Sequence, residues 1–320
     1  MNKEFHYWIT GIIAYKAGFS AEEANIIAYS SQYVDDNNRG KKILDKSTNK
    51  VFTHYISQTM DILKPKNKLL RIYPIFHFIP GNPVCAKARR RDGKMHLLNT
   101  TPDNETANSL LQAAFQADPA SRLYRIGIAT HSYADTWGHQ NFVGWHDSFN
   151  ALGLNPIPNI GHADALHNPD LVNFSWQDQR LVEKNINNNH RLLAAAQALF
   201  QHYTHYLKTT ADWASLKADL TKLISTPDEQ VRIKAYRAYA PWLQSYDEHI
   251  WFSEAVAEEK GILQYIPFNV FPSKCAWRDG ITKEKTDWYK FQMSVIDHEQ
   301  GGIKLLKNIF KQIDVNIAVV

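Results

Sequence analysis

Cysteine is scarce in this sequence. Only Cys85 and Cys275 occur among 320 residues, which excludes a disulfide framework and a zinc site built from cysteines. Any metal must therefore be held by histidine and carboxylate side chains. Histidine is plentiful by comparison, with 14 residues, and several of them fall inside segments with a regular apolar pattern.

Long apolar runs and a strong charge imbalance are also missing. No stretch approaches the ~20 apolar residues of a membrane span, and the first residues lack the basic and apolar segments of a secretory signal. The 36 Lys and Arg against 32 Asp and Glu leave a net charge of +4, too small to imply nucleic-acid binding. We expect a cytosolic protein, or one exported without a cleaved N-terminal signal, and a phosphate-bearing substrate is compatible with this charge.

Apolar residues recur mostly at helical spacing, and strand signals are few. The sequence therefore predicts one all-α domain over residues 1–320 with a loop-rich centre, in which residues 1–200 carry the site and residues 201–320 form a C-terminal helical part. The expected helices are Glu4–Ala17, a second from a Ser20–Glu23 capping box to about Gln32, then Val51–Leu63, Asn104–Ala117, Ala120–Phe142, Trp176–Lys208, Trp213–Ile224, Pro227–Lys260 and Lys283–Ile313.

Three segments are predicted to be non-helical. The apolar Arg71–Pro80 segment, bounded by prolines, indicates a buried extended segment or short strand. Pro83–Thr101 is expected to be an exposed loop, and its basic residues Arg89, Arg90 and Arg91 are either solvated or face a phosphate or a partner. Gly153–Pro169 is rich in proline and glycine and is expected to be irregular, as many site-bearing loops are.

One helix carries a regular set of metal-binding side chains. His131, Asp135 and His139 are spaced by four residues, so they share a helix face spanning ~80°. The two histidines lie ~12 Å apart along the axis, too far to share one ion with ligands at ~2 Å, so a multinuclear site fits better than a mononuclear one. The alternative is a hydrogen-bonded core histidine beside an exposed aspartate. Ligation is favoured because a buried carboxylate and imidazole are costly without a cation.

His131 to Asn141 resembles the central helix motif of the zinc-dependent phospholipase C and single-strand nuclease superfamily. The sequence resembles more closely an uncharacterised bacterial family related to that superfamily. This closer resemblance covers most of residues 1–200 and is carried by Phe5-His6-Tyr7, Ser31-Gln32-Tyr33-Val34-Asp35-Asp36, His131 to Asn141 and Ile160 to Asp170.

The resemblance implies an all-α protein that holds up to three zinc ions. It implies that His131 and Asp135 are the central ligands, with Asp135 bridging two ions. His139 matches the second histidine of the motif and His162 the late histidine. The remaining ligands implied by the resemblance are His6, Asp35, with Asp36 as its alternative, and His77.

Two departures bear on the number of metals. In the secreted phospholipases the mature N-terminal residue is itself a ligand, whereas here Met1 precedes His6. The late His-x3-Glu pattern is replaced by Leu166 after His162, so Asp164, His167 or Asp170 would have to substitute. We therefore expect one to three zinc ions, with iron or manganese as alternatives.

The expected function is metal-dependent hydrolysis of a phosphoester, with a lipid headgroup ester, a nucleotide or nucleic acid, or a small diester as substrate. Asp35 or Asp36 would take the proton of the attacking water if it is not a ligand, and Arg89 to Arg91 would add positive charge. Two alternatives are a different metalloenzyme, such as an amidase or an iron oxidase, and a metal-binding or structural protein with an incomplete site.

Overall fold

A computed structural model describes residues 1–59, 61, 64–153, 159–259, 274–315 and 317. The helices are α1 (Thr10–Ala17), α2 (Ala21–Asp36), α3 (Lys66–Leu69), α4 (Glu105–Phe115), α5 (Arg122–Gly138), α6 (Asn188–Leu207), α7 (Trp213–Leu223), α8 (Glu229–Tyr239), α9 (Ile250–Ala255) and α10 (Asp287–Gln312). Two π-helical segments, Glu4–Ile9 and Tyr73–His77, and short 3-10 turns complete the helical structure.

Helix α5 lies at the centre of the molecule. Every residue from Tyr124 to Gly138 is buried, and α2, α4, α6 and α10 pack around it. The approach of α2 is especially close at Gly127, where an added Cβ atom would lie 2.5 Å from the carbonyl oxygen of Ile27. This packing brings the C-terminal end of α2 beside the face of α5 that carries His131 and Asp135.

The all-α prediction is wrong. The structure is about 53% helical and contains two β-sheets. The larger sheet has the order β2-β1-β6-β5, formed by Lys50–Thr53, Lys42–Asp45, Lys274–Trp277 and Val256–Glu259. Its β1 and β6 strands are parallel, with Ile43 opposite Cys275, and the other neighbours are antiparallel. The smaller sheet pairs β3 (Ser175–Gln177) with β4 (Asn185–Asn187), with Trp176 opposite Ile186.

Some of these strands lie where the sequence predicted helices. Residues 51–53 form strand β2, because Val51, Phe52 and Thr53 have β-branched or aromatic side chains, and no helix continues through residues 54–59. The expected Pro227–Lys260 helix is instead α8, α9 and strand β5, with Lys260 itself outside the described residues. The helix predicted to begin at Trp176 starts at Asn188, after the β3-β4 hairpin.

The two segments that flank the site also differ from prediction. The expected Arg71–Pro80 strand contains the π-helix Tyr73–His77, which tolerates Pro74 because the proline stands in its first turn. Helix α2 begins at the predicted Ser20–Glu23 capping box, which is confirmed, but it continues to Asp36. Asp35 therefore lies on the last helical turn rather than in a following loop. No helix among the described residues is long and apolar enough to cross a membrane.

Candidate metal centre

Five parts of the chain bring histidine and carboxylate side chains together around the C-terminal half of α5. Helix α5 supplies His131 and Asp135, and His139 is its C-cap residue. His6 comes from the N-terminal π-helix, Asp35 from the end of α2 and His77 from the second π-helix. The loop after α5 supplies His162 and Asp170. Three groups have ligand atoms that all lie within 4.8 Å of one another: His6, Asp35 and His131; His77, His131 and Asp135; and His139, His162 and Asp170.

The middle group is a triangle of hydrogen-bond acceptors. His131 Nε2 lies 3.1 Å from His77 Nδ1. Asp135 Oδ2 lies 3.3 Å from His131 Nε2 and 3.5 Å from His77 Nδ1. The other ring nitrogen of His131 lies 2.8 Å from the carbonyl oxygen of Ser31, and that of His77 lies 2.9 Å from the carbonyl oxygen of Ser57. A carbonyl only accepts, so those nitrogens carry the ring protons. In the neutral imidazoles the two nitrogens that face each other therefore carry no proton, and Asp135 Oδ2 beside them has no hydrogen-bond partner. Burial alone would lower the pKa of His131, but Asp35 and Asp135 outweigh burial and raise it, so a proton on this ring competes with a cation.

These distances suit a tetrahedral cation. Ligand atoms at 2.0–2.2 Å from a zinc ion are separated from one another by about 3.3 Å in a tetrahedral shell. The three sides of the triangle measure 3.1, 3.3 and 3.5 Å. Both imidazoles and the carboxylate are almost completely buried. A buried carboxylate oxygen without a hydrogen-bond partner, such as Asp135 Oδ2, is costly, and a bound cation would remove that cost.

His6 extends the acceptor cluster on one side. Its ring stacks on that of His131 with centroids 3.9 Å apart, and its Nε2 lies 3.1 Å from Asp135 Oδ1. Neither ring nitrogen of His6 has a hydrogen-bond partner, although the side chain is fully buried. Burial and the neighbouring His131 lower the pKa of His6 to about 4. Asp35, which is partly exposed, places its Oδ1 3.7 Å from the nearer nitrogens of His77 and His131.

The third group is built around Asp170. Its two carboxylate oxygens lie 3.2 Å from His139 Nε2 and 3.3 Å from His162 Nε2. Each of these histidines again directs its other nitrogen to a carbonyl oxygen: His139 Nδ1 lies 2.7 Å from that of His77, and His162 Nδ1 lies 2.9 Å from that of Leu166. All four ring orientations are thus fixed by backbone carbonyls, as is common for metal-ligating histidines.

The amino group of Met1 lies between the groups and was not predicted to do so. It contacts Asp135 Oδ1 and lies 3.2 Å from Asp170 Oδ1 and 3.4 Å from His139 Nε2. Burial alone would lower the pKa of this amine, but the two carboxylates outweigh burial and raise it to about 11. In turn, burial alone would raise the pKa of Asp135, yet His139 and this amine hold it well below its usual range. Nothing in the local sequence could reveal a contact between residues 134 positions apart.

A cleft opens onto this centre. It has a volume of about 590 Å³, and its lining includes Asp35, His77, His139, His162 and Asp170 together with the apolar rings of Tyr73 and Phe78. Phe78 stacks on His139 with ring centroids 4.5 Å apart. Several residues between Ile160 and His167, in the segment predicted to be irregular, form one wall of the cleft.

Other predicted site residues lie outside the three groups. Asp36 accepts hydrogen bonds from Tyr246 Oη at 2.6 Å and Gln32 Nε2 at 3.0 Å, and burial raises its pKa. Asp164 accepts from the backbone nitrogen of Leu152, and His167 lines the cleft without joining a group.

The three arginines are dispersed. Arg90 is buried and donates to Asp92 and to the carbonyl oxygen of Phe149. Arg89 lines a different cleft, and Arg91 is exposed, with its backbone nitrogen bonded to the carbonyl oxygen of Arg180. None of the three lines the cleft above the metal-binding groups.

Comparison with known proteins gives one match. A family of unknown function, DUF6765, matches residues 1–305. This chain belongs to that family. No curated protein matches the chain, and no solved structure does. The family assignment therefore covers the whole candidate centre but assigns no activity to it.

Proposed function

We propose that this protein binds one to three divalent cations, with zinc as the first candidate, and hydrolyses a phosphoester in the cleft above them. The observation that carries the proposal is the triangle of His77 Nδ1, His131 Nε2 and Asp135 Oδ2, in which Asp135 Oδ2 is buried without a hydrogen-bond partner. The donor set of imidazoles and carboxylates suits zinc, and it also suits iron and manganese.

The residues divide into two cation sites. His77, His131 and Asp135, with His6 or Asp35, would hold one cation, and His139, His162 and Asp170 would hold another. Bound cations of this kind stabilise negative charge on phosphoryl oxygens and acidify water. Because Asp135 has one oxygen in the triangle and the other beside His6 and Met1, its carboxylate is the natural link between neighbouring sites.

Asp35 is the best-placed carboxylate for proton transfer. It lines the cleft, whereas Asp36 does not, and its side chain is 30% exposed, against 1% for Asp135. A base must reach both solvent and the reacting water. Asp36 does not line the cleft, and its carboxylate accepts hydrogen bonds from Tyr246 and Gln32. Asp35 would thus either ligate through Oδ1 or accept a proton from water held at the cleft floor.

The cleft favours a phosphodiester with an apolar substituent. Tyr73, Phe78, Ile160 and Leu166 supply much of its wall, and Leu166 is 58% exposed. Such a wall would bind an aryl or acyl-bearing group beside the metals through the hydrophobic effect. A lipid headgroup ester, a nucleotide diester and a small aryl diester all present a phosphodiester of this general form.

A second candidate is a metal-binding or structural protein without turnover. The missing His-x3-Glu pattern favours it, because Leu166 stands where a carboxylate ligand would follow His162. A metalloenzyme acting on another bond, using iron or manganese, fits the same donor set.

The test combines a metal count with a substrate panel. Elemental analysis of the purified protein should give at least one zinc, iron or manganese per chain. Hydrolysis of bis(p-nitrophenyl) phosphate, a phospholipid and a single-stranded oligonucleotide should then be measured before chelation, after chelation and after metal is restored. Turnover of one substrate that follows the metal supports the enzyme. Stoichiometric metal without turnover of any substrate supports a metal-binding protein without activity. Protein that neither retains nor takes up metal contradicts the proposed enzyme.

A further inference from the structure

A second cleft lies at the end of α5, separate from the metal centre. Its volume is about 330 Å³, and it is bordered by Trp137 and Asn141 of the α5 end, the 86–89 turn, the β3-β4 hairpin and the N-terminal turn of α6. It shares no lining residue with the cleft above the metals. This volume is at the lower end of the range for small-molecule sites, so a small ligand fits it.

The cleft is lined by cationic side chains that lack acidic partners. Lys87, Arg89 and Arg191 line it, and among the described residues none of the three has a carboxylate within 4.0 Å. Glu183 is the only acidic residue in the lining, so three positive charges and one negative charge leave +2. Arg191 Nη1 makes one long contact, 3.5 Å, with the carbonyl oxygen of Gly138. Burial lowers the pKa of Arg191 to about 9, and Asp178 only partly offsets this effect.

The backbone adds to this positive field. Helix α6 has 20 residues, and its N-cap residue Asn187 and first-turn residues His190 and Arg191 line the cleft. The N-terminus of a helix carries a partial positive charge from its aligned peptide dipoles. Anionic ligands are therefore favoured by the helix as well as by the side chains.

One buried polar group also lacks a partner at this site. Asn141 lines the cleft and is 1% exposed, and its Nδ2 donates to the carbonyl oxygen of Lys87 at 3.0 Å. Its Oδ1 atom is buried without a hydrogen-bond partner, which is costly unless a ligand donor reaches it. The cleft thus offers several donors and cations, and one acceptor.

We propose that this cleft binds a small organic phosphate monoester that also carries a hydroxyl or amino donor. A phosphate monoester has a charge of about −1.5 to −2 at pH 7, which balances the local +2. Arginine guanidinium groups match the geometry of phosphate oxygens, and the donor would satisfy Asn141 Oδ1. The proposal does not depend on the activity proposed for the metal centre.

The test is calorimetric titration of the purified, metal-loaded full chain with glycerol 3-phosphate and, separately, with inorganic phosphate. We expect saturable binding of glycerol 3-phosphate, and weaker binding of inorganic phosphate because it lacks the carbon-bound hydroxyl groups. Arg191→Gln should weaken binding of glycerol 3-phosphate roughly tenfold or more, as loss of a charge-assisted hydrogen bond does. Arg89→Gln should weaken it by a smaller factor.

Lys184→Gln is the matched control. Lys184 is an exposed residue of the same hairpin and does not line the cleft, so its removal should leave the affinity unchanged. Parental affinity in both arginine variants would place the ligand elsewhere, and equal losses in Lys184→Gln and Arg191→Gln would indicate only diffuse charge. Either result, or no saturable binding to the parent, overturns the proposal. If Arg191→Gln does not fold, Arg89→Gln decides, because Arg89 is exposed.

Discussion

Replacing Asp135 tests the metal centre most directly. Its carboxylate lies 3.1 Å from His6 Nε2, 3.3 Å from His131 Nε2, 3.4 Å from His139 Nδ1 and 3.5 Å from His77 Nδ1. Asp135→Ala would leave these buried imidazoles facing a void, with no carboxylate to balance a cation. We therefore expect the variant to lose the metal held by the His77 and His131 group.

The loss of stability has two parts. A ligand present at a hundredfold excess over its Kd stabilises a protein by about 2.7 kcal/mol, and this contribution disappears with the metal. Removing one member of a buried charged cluster costs a further ~3–5 kcal/mol. Asp135→Asn keeps the side-chain shape but not the charge, so it should lose metal with a smaller loss of packing.

The assay is elemental analysis together with urea unfolding followed by circular dichroism, with and without EDTA. The parent should lose stability when chelated, whereas Asp135→Ala should be nearly insensitive to EDTA. Asp279→Ala is the control, since this carboxylate is 82% exposed and pairs only with Lys46. Its removal should change stability by less than about 1 kcal/mol and leave the metal in place. Full metal content in Asp135→Ala, or an EDTA response equal to that of the parent, would refute the assignment.

Three further measurements test other parts of the argument. His162→Ala should reduce bis(p-nitrophenyl) phosphate turnover by orders of magnitude with an unchanged far-UV spectrum, because the ring lies on a loop at the cleft and not in a helix; parental turnover would contradict its role. Burial lowers the pKa of His54 from 6.5 to about 4, so the unfolded state binds more protons between these values and stability falls as the pH drops through that window. Between pH 7 and pH 5 the His54→Gln variant should lose about 2 kcal/mol less unfolding free energy than the parent, and equal losses would show that this residue is not responsible. Gly127→Ala should destabilise the protein by about 1–3 kcal/mol, because its Cβ would meet the carbonyl oxygen of Ile27, whereas Gly40→Ala, in open space, should be near neutral; calorimetric unfolding compares the two.

Local periodicity was enough to predict the part of the site that lies on one helix. His131, Asp135 and His139 are spaced by four residues, and the structure places the first two in one group and His139, the C-cap residue of α5, in the neighbouring group. The roles of His6, Asp35 and His77 came from the resemblance alone, since no spacing relates these residues to α5. Asp170 was only one of three alternatives to the missing glutamate, and the structure brings it, rather than Asp164 or His167, between two histidines.

The sheets were missed because their strands are short and their partners are distant. Strand β1 has four residues, and its parallel neighbour β6 lies far along the chain. A run of four residues shows no periodicity that distinguishes strand from helix. The π-helix at Tyr73–His77 was predicted to be part of a buried extended segment or short strand for a related reason: a run of five residues that includes a proline carries no helical period. Such elements are determined by tertiary contacts rather than by local preference.

That π-helix has a consequence for the centre as a whole. His77 contributes its Nδ1 to the triangle with His131 and Asp135, and its backbone carbonyl accepts the Nδ1 proton of His139. The wider π-helical turn, closed by a bond from the Phe78 nitrogen to the Tyr73 carbonyl oxygen, leaves the His77 carbonyl free for this role. One residue therefore orients ligands of both metal-binding groups. A shift of the Tyr73–His77 turn would disturb both groups together, so we expect their affinities for metal to be coupled.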